Sequence, residues 1–400
     1  MNRRNRCDSP FHVGFDRLGN EAGTFAKMPE KLCISSTYLI ALNRQPHHKR
    51  FTEPWSTDRA GAGRLTHFIR FQDHKGSRMT MKLGFAAMLA MSVATTAAMA
   101  ADDFDPRYKD YQQTSGVSGT IKSIGSDTLN NLMTLWAEDF KKIYPSVKIE
   151  IEGKGSSTAP PALIAGTAQF GPMSRAMRPQ EIDQFEAKYG YKPTLLRVAV
   201  DALAVYVNKD NPLKCLSLGQ VDGIFSVTRN SGSPDITKWD QVGLSGEYAG
   251  KSISMFGRNS ASGTYGYFKE VALMNGDYKA TVKEQPGSSA VVQGVATDKF
   301  ALGYSGIGYR TADVRALAIS GRDGTCYEPN KQNAYGGKYP IARFLYIYMN
   351  KNPSTPLEPL RAEFIKFMYS KGGQLATVKD GYFPMPYVFA QEDLGKLGLK

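Results

Sequence analysis

Histidine is scarce in this 400-residue chain and then disappears: His12, His47, His48, His67 and His74 are all of it. Beyond residue 74 the commonest general base and the commonest metal ligand are both missing. Cysteine is nearly as thin, four in all, with only Cys215 and Cys326 beyond residue 33. No clustered Asp/His pattern offers a metal site, so metal-assisted hydrolysis, as in a secreted phosphatase, has no visible machinery. No basic run with interleaved aromatics is present, which excludes the usual nucleic-acid footprint. Internal repeats and low-complexity tracts are absent after residue 100, so the hallmark of a surface adhesion protein is missing too.

The formal charge of +13 is misleading. Residues 1–100 carry 15 Lys+Arg and 7 Asp+Glu, so residues 101–400 keep 35 and 30, a balance of only +5. From Met79 the chain reads "MTMKLGFAAMLAMSVATTAAMA": Lys82, a short apolar run from Leu83 to Val93, then Ala98-Met99-Ala100 as a small-x-small cleavage site. Residues 79–100 are expected to be a secretory signal, too short to span as a transmembrane helix. Residues 1–78, basic and without periodicity, are expected to be an over-annotated or disordered extension, with translation starting at Met79 or Met81. No cysteine stands at the cleavage site, so the product is expected to be soluble, exported and free of a lipid anchor. In an oxidising compartment Cys215 and Cys326 form one disulfide or remain two buried thiols; the bridge would add about 4–5 kcal/mol in the chain-entropy model.

The remaining 300 or so residues are long for one core, and two lobes are expected. Gly119–Ile124 and Val147–Glu152 read as strands. Leu129, Leu132, Met133, Trp136, Phe140, Ile143 and Tyr144 fall on one helical stripe. Pro160–Ala165 opens a helix, Leu195–Val207 is apolar and extended, and Ile253–Phe256 is a short strand leading to a helix over Tyr265–Leu273. Ala301–Tyr304 and Phe344–Met349 read as strands, and Leu357–Tyr369 as an amphipathic helix. Strands alternating with helices predict an α/β fold with mostly parallel sheets. The extended runs Leu195–Val207 and Ile341–Met349 are the candidate hinge strands.

In such folds ligands bind where strands end and helices begin. Three stretches have that character: "SIGSDTLNNLM" from Ser123, "EGKGSSTAPPAL" from Glu152 and "GRNSASGTYGYF" from Gly257. Each supplies free amide N–H groups and small hydroxyl residues at a helix start, which suits an anion. Taken alone, each reads more readily as ordinary N-capping. Three in one chain, one of them carrying Arg258, favour the anion. None is a nucleotide P-loop, because Lys154 lacks the required spacing.

"GRNSASGTYGYFKE", "GKGSSTAPPALIAGTAQFGPMSR" and "GSDTLNNLMTLWAEDF" resemble the motifs of periplasmic phosphate-binding proteins of ABC transporters, over about residues 115–395. The resemblance implies a two-lobed type II binding-protein fold, two mixed sheets flanked by helices with a two-strand hinge; taking the two extended runs as that hinge puts one lobe at 115–204 and 344–400 and the other at 205–343. It implies a monomer without catalytic activity, cofactor or metal, which carries inorganic phosphate to an inner-membrane ABC permease. By position it implies that Arg258 grips phosphate oxygens, that Ser262, Gly263 and Thr264 donate from a helix start, and that Ser156 and the Ser126, Asp127, Thr128 turn complete the site. Some relatives place an aspartate where "FGPMSR" has Ser174. Hydrogen phosphate carries a proton and sulfate none, so an acceptor carboxylate discriminates between them. Asp127 is expected to take that role, with Asp201 of "VAVDALAV" as second choice and Arg175 as a lesser aid to charge balance. Sulfate or molybdate binding is the alternative.

Overall fold

The structure is a computed structural model that describes residues 104–321 and 323–400; the expected signal at 79–100 and the extension 1–78 lie outside the described residues. The strands, in chain order, are β1 (Gly119–Ile124), β2 (Val147–Glu152), β3 (Gly171–Met173), β4 (Thr194–Ala202), β5 (Ala204–Asn208), β6 (Cys215–Ser217), β7 (Ser254–Arg258), β8 (Lys283–Gln285), β9 (Ala301–Ser305), β10 (Val314–Ala316), β11 (Ala318–Ser320), β12 (Cys326–Tyr327) and β13 (Ala342–Met349).

These strands form four hydrogen-bonded groups rather than the expected two: β1-β2, β3-β13-β4, β10-β5-β9-β7-β8 and β12-β11-β6. A parallel bridge from Ser123 to Phe170 sets β1-β2 beside the β3 end of its neighbour. The expectation of mostly parallel strands is corrected as well. Only β1–β2, β6–β11, β7–β8 and β7–β9 are parallel, while β5 is antiparallel to β9 and β10, and β13 to β3 and β4. The physical reason is the chain path. A parallel neighbour needs a crossover, usually a helix, between the strands. Here β4 passes straight into β5 through Leu203 and changes sheet without a helix, so the extended run Leu195–Val207 is two strands in two sheets. The chain returns late, as β13, to pair with β4.

Two aromatic cores hold the elements that carry the site. The helix Asn130–Ile143 buries Leu132, Met133, Trp136 and Phe140, the stripe expected from their spacing. Trp136 Nε1 donates to Gly373 O at 2.7 Å, and Phe140 packs on Phe364 of the helix Pro359–Met368 with ring centroids 5.1 Å apart. Each such buried side chain stabilises by roughly 1.5–3 kcal/mol. Behind the five-stranded sheet, Phe268 stacks on Tyr304 at 3.9 Å and meets Phe225 edge-on at 5.3 Å. That stack anchors the helix Gly263–Val271 to β9 and so fixes where the helix begins. Cys215 and Cys326 are joined in a disulfide that ties β6 to β12 across 111 residues. Among the described residues, no helix is long and apolar enough to cross a membrane.

Candidate anion-binding site

The three quoted stretches become three strand–turn–helix junctions, and they meet. After β1, Gly125 lets the first turn press against the FGPMSR segment, since a Cβ there would lie 2.1 Å from Pro172 O. Asp127–Leu129 then forms a short 3-10 turn leading into the helix Asn130–Ile143. After β2, Gly155 adopts φ 114°, a conformation open to glycine, and its N–H donates to Gly125 O at 2.8 Å. The turn Ser156–Thr158 and the proline-led helix Ala159–Ala165 follow. After β7, Ser262 caps the helix Gly263–Val271.

Four hydroxyls converge, three from the turns after β1, β2 and β3 and one from the start of the helix after β7. Thr128 Oγ1 lies 2.9 Å from Thr264 Oγ1, Thr264 Oγ1 lies 3.4 Å from Ser174 Oγ, and Ser174 Oγ lies 3.3 Å from Ser156 Oγ. All four residues are at most 1% exposed. The amides of Thr128, Ser156 and Gly263 have no protein acceptor among the described residues. Gly263 is required by contact: a Cβ there would sit 2.3 Å from Ser156 Oγ and 2.7 Å from Ser174 Oγ.

Arg258, 1% exposed, ends β7 beside this cluster. Its Nη1 donates to Ser288 Oγ at 2.7 Å and lies 3.2 Å from Asp127 Oδ2; its Nη2 donates to Pro286 O at 3.2 Å. Its Nε is buried without a protein partner among the described residues. Burial works against the guanidinium charge, and Asp127 beside it counters that. Asp127 Oδ2 also accepts from Ser288 N at 2.8 Å, at the start of the helix Ser288–Thr297. Tyr309 and Tyr382 donate from their hydroxyls to the carbonyls of Asp127 and Thr128 at 2.8 and 2.9 Å. Burial pushes both phenols up in pKa, so both stay protonated and serve as donors. The larger cavities open elsewhere, one of about 630 Å³ lined by Arg310, Asn330 and Asp380 among others. The hydroxyl cluster itself is closed. Nearly every group it presents is a donor, an arrangement suited to a small multivalent oxyanion.

Residues 111–371 match a family model described as a PBP superfamily domain. Over 323 residues the chain is 53% identical to the phosphate-binding protein PstS of Pseudomonas aeruginosa, covering 80% of this chain and 100% of that one. The chain belongs to the periplasmic phosphate-binding protein family. Among solved structures it is similar to a phosphate ABC transporter substrate-binding protein of Clostridium perfringens with bound phosphate, at TM-score 0.57 and 25% identity over 67% of this chain and 100% of that one. It is also similar to an ABC-type phosphate transport receptor of Vibrio cholerae, at TM-score 0.52 and 26% identity over 66% and 100%. Family members of this kind are substrate-binding proteins, not enzymes, and share the two-lobed type II α/β fold.

Against that family's pattern, Thr128, Ser156, Ser174, Arg258, Gly263 and Thr264 come together here, with Asp127 beside Arg258. Other expected members have different tasks. Ser262 is a cap: its Oγ accepts from Thr264 N at 3.1 Å and Tyr265 N at 3.4 Å, and its own N–H donates to Asn259 O at 3.0 Å. Ser126 donates its N–H to Pro172 O at 2.8 Å, so its amide joins two turns instead of facing a ligand. Asp201 is fully buried and engaged by Arg343 and by Ile307 N, a structural salt bridge in place of a second-choice proton acceptor. Arg175 forks onto Glu181 at 2.6 and 2.7 Å and belongs to that pair. Arg343, Ser288 and Tyr382 were not expected. The one available signal was Arg343, a lone charge opening the apolar strand "ARFLYIYM".

Alanine at Gly263 is expected to weaken anion binding by roughly tenfold or more while the fold persists, because Ser156 Oγ must leave Ser174 N to make room. Calorimetric titration of the variant with phosphate, beside its far-ultraviolet circular dichroism, reads both quantities.

Proposed function

We propose that this chain binds inorganic phosphate in the periplasm between two lobes, formed by residues 115–204 with 344–400 and by residues 205–343, and that it delivers phosphate as a monomer to an inner-membrane ABC permease. The observation that carries this reading is the meeting of four buried hydroxyls, three from the turns after β1, β2 and β3 and one from the helix after β7, which follows Arg258. Strand β5 follows β4 through the single residue Leu203, and β13 returns to β4; these connections are the hinge about which the lobes close.

Asp127 is the residue that accepts the phosphate proton. Its Oδ2 is occupied by Ser288 N and Arg258, while its Oδ1 takes no hydrogen bond from the described residues. Monohydrogen phosphate offers a proton to that oxygen. Sulfate would face it with lone pair against lone pair. Ser174 stands where some relatives carry the acceptor aspartate, and that substitution is what favours the second reading, a site for another tetrahedral oxyanion.

A micromolar dissociation constant corresponds to about −8 kcal/mol, within reach of several charge-assisted hydrogen bonds at roughly 1.5–3 kcal/mol each, less the cost of closure. Calorimetric titration with phosphate in the presence of equal sulfate is the test. Binding at micromolar or tighter concentration that sulfate leaves unchanged supports phosphate. Displacement by sulfate assigns the site to a different oxyanion.

A further inference from the structure

We propose that Arg343, seated on Asp201, is a positioning residue that turns the Thr264 hydroxyl into an obligate donor toward the bound anion. The inference rests on the phosphate reading above and adds to it a residue that acts through another.

The geometry begins with two antiparallel strands. In the pairing of β13 with β4, Arg343 stands directly opposite Asp201, although 142 residues separate them in sequence. Arg343 Nε and Nη2 reach Asp201 Oδ2 at 3.0 and 2.8 Å, and Ile307 N donates to Asp201 Oδ1 at 2.9 Å. The carboxylate is thereby held on both oxygens, and it holds the guanidinium plane. The rest of the fork points at the hydroxyl cluster: Nη2 also donates to Thr264 Oγ1 at 3.0 Å, and Nη1 donates to Ser174 O. Tyr267 covers the guanidinium with its ring centroid 5.2 Å away.

A guanidinium has five donors and no acceptor, and a hydroxyl has one proton. Once Arg343 occupies the acceptor side of Thr264 Oγ1, the Thr264 proton has to point elsewhere, toward Thr128, Ser174 or a ligand oxygen. The same logic holds around the cluster. Ser156 Oγ accepts from Ser174 N at 3.0 Å, Ser262 Oγ from Thr264 N, and Ser288 Oγ from Arg258 Nη1. Ser156, Ser262 and Ser288 each have an obligate donor behind them, as Thr264 has, whereas no such donor is fixed behind Thr128 or Ser174 among the described residues. Thr264 is the one whose direction depends on a side chain from the other end of the chain. Hydrogen bonds aligned in this way act together in a dry site. Lysine cannot replace the fork, because an ammonium drawn to Asp201 is a point donor and cannot span Asp201, Thr264 and Ser174 at once.

The test is a double-mutant cycle on phosphate affinity, with Arg343→Lys, Thr264→Val and their combination, titrated to millimolar phosphate so that weak binding is still read. Lysine keeps the charge beside Asp201, and circular dichroism with thermal unfolding checks that each variant is folded. Arg343→Lys is expected to weaken phosphate binding roughly tenfold in the parent and to have little further effect once Thr264 is valine. With Thr264→Ser, which keeps the hydroxyl, the tenfold loss is expected to return. Equal losses with threonine and with valine would show that Arg343 acts on the anion independently of Thr264, and would overturn the proposal. So would an Arg343→Lys variant that binds like the parent, or one that shifts only thermal unfolding. A parent that binds no phosphate would instead sink the functional reading, a distinct result.

Discussion

Alanine at position 258 is expected to weaken phosphate binding by roughly a hundredfold or more, read by calorimetric titration against the parent. Three features of the site set that size. The guanidinium is nearly excluded from solvent, so its bonds to an anion form in a weakly screening interior. Its Nε has no protein partner among the described residues, and on the proposed reading it is the donor that meets a ligand oxygen. Charge-assisted hydrogen bonds contribute roughly 1.5–3 kcal/mol each, and losing even one or two of them accounts for the loss. Removal also strands Asp127, which then faces an incoming anion without a cation at 3.2 Å. Arg258→Lys is expected to recover only part of the affinity, since a point charge cannot hold Ser288 Oγ, Pro286 O and a phosphate oxygen together. A variant lacking Arg258 with unchanged affinity would remove this residue from the site.

The second large effect is on stability. Asp201→Ala is expected to destabilise the protein by about 3–5 kcal/mol, the range for breaking a buried ion pair by deleting one partner. Asp201 is fully buried, and Arg343, its partner, is 6% exposed. Without the carboxylate, Arg343 keeps Thr264 Oγ1 and Ser174 O but loses its counter-charge, and Ile307 N loses its acceptor. The damage falls where β4 meets β13 and where the chain passes from β4 into β5, so both lobes are affected. Urea unfolding followed by circular dichroism is the measurement, with a clear fall in the midpoint expected. Replacing both residues by apolar ones of similar volume is expected to cost less than Asp201→Ala, because no charge is left unpaired. An unchanged midpoint in Asp201→Ala would show that water already satisfies the site.

Local pattern carried much of this structure, and distant pairing carried the rest. β1, β2 and the helical stripe from Leu132 to Phe140 were readable because their periodicity is set within a few residues. The three glycine- and serine-rich junctions were readable for the same reason. Asp127 shows where such reading runs out. As a residue near a helix start it looks like a cap for its own turn, yet its side chain serves Ser288 N, 161 residues away. Ser288 itself sits in "GSSAVVQG", which reads as an ordinary helix start. Arg343 and Asp201 meet only because β13 returns to β4 in a particular register, and spacing along the chain does not encode that return. Ser262 stands where a capping serine and a ligand serine share the same motif; the bonds its Oγ accepts from Thr264 N and Tyr265 N show the capping part, which spacing alone does not reveal.

The bonds across the cleft carry a consequence for unloading. Ser157 N to Ala261 O, Ser288 N to Asp127 Oδ2 and the Thr128–Thr264 hydroxyl pair join the two halves using protein atoms alone. On the proposed reading, a loaded molecule is held shut by its own chain as well as by its cargo, and simple leakage is expected to be a slow exit. Letting go is then expected to be an act of prying, in which a docking surface that grips both halves and forces them apart would undo the bolts and the cage in one stroke.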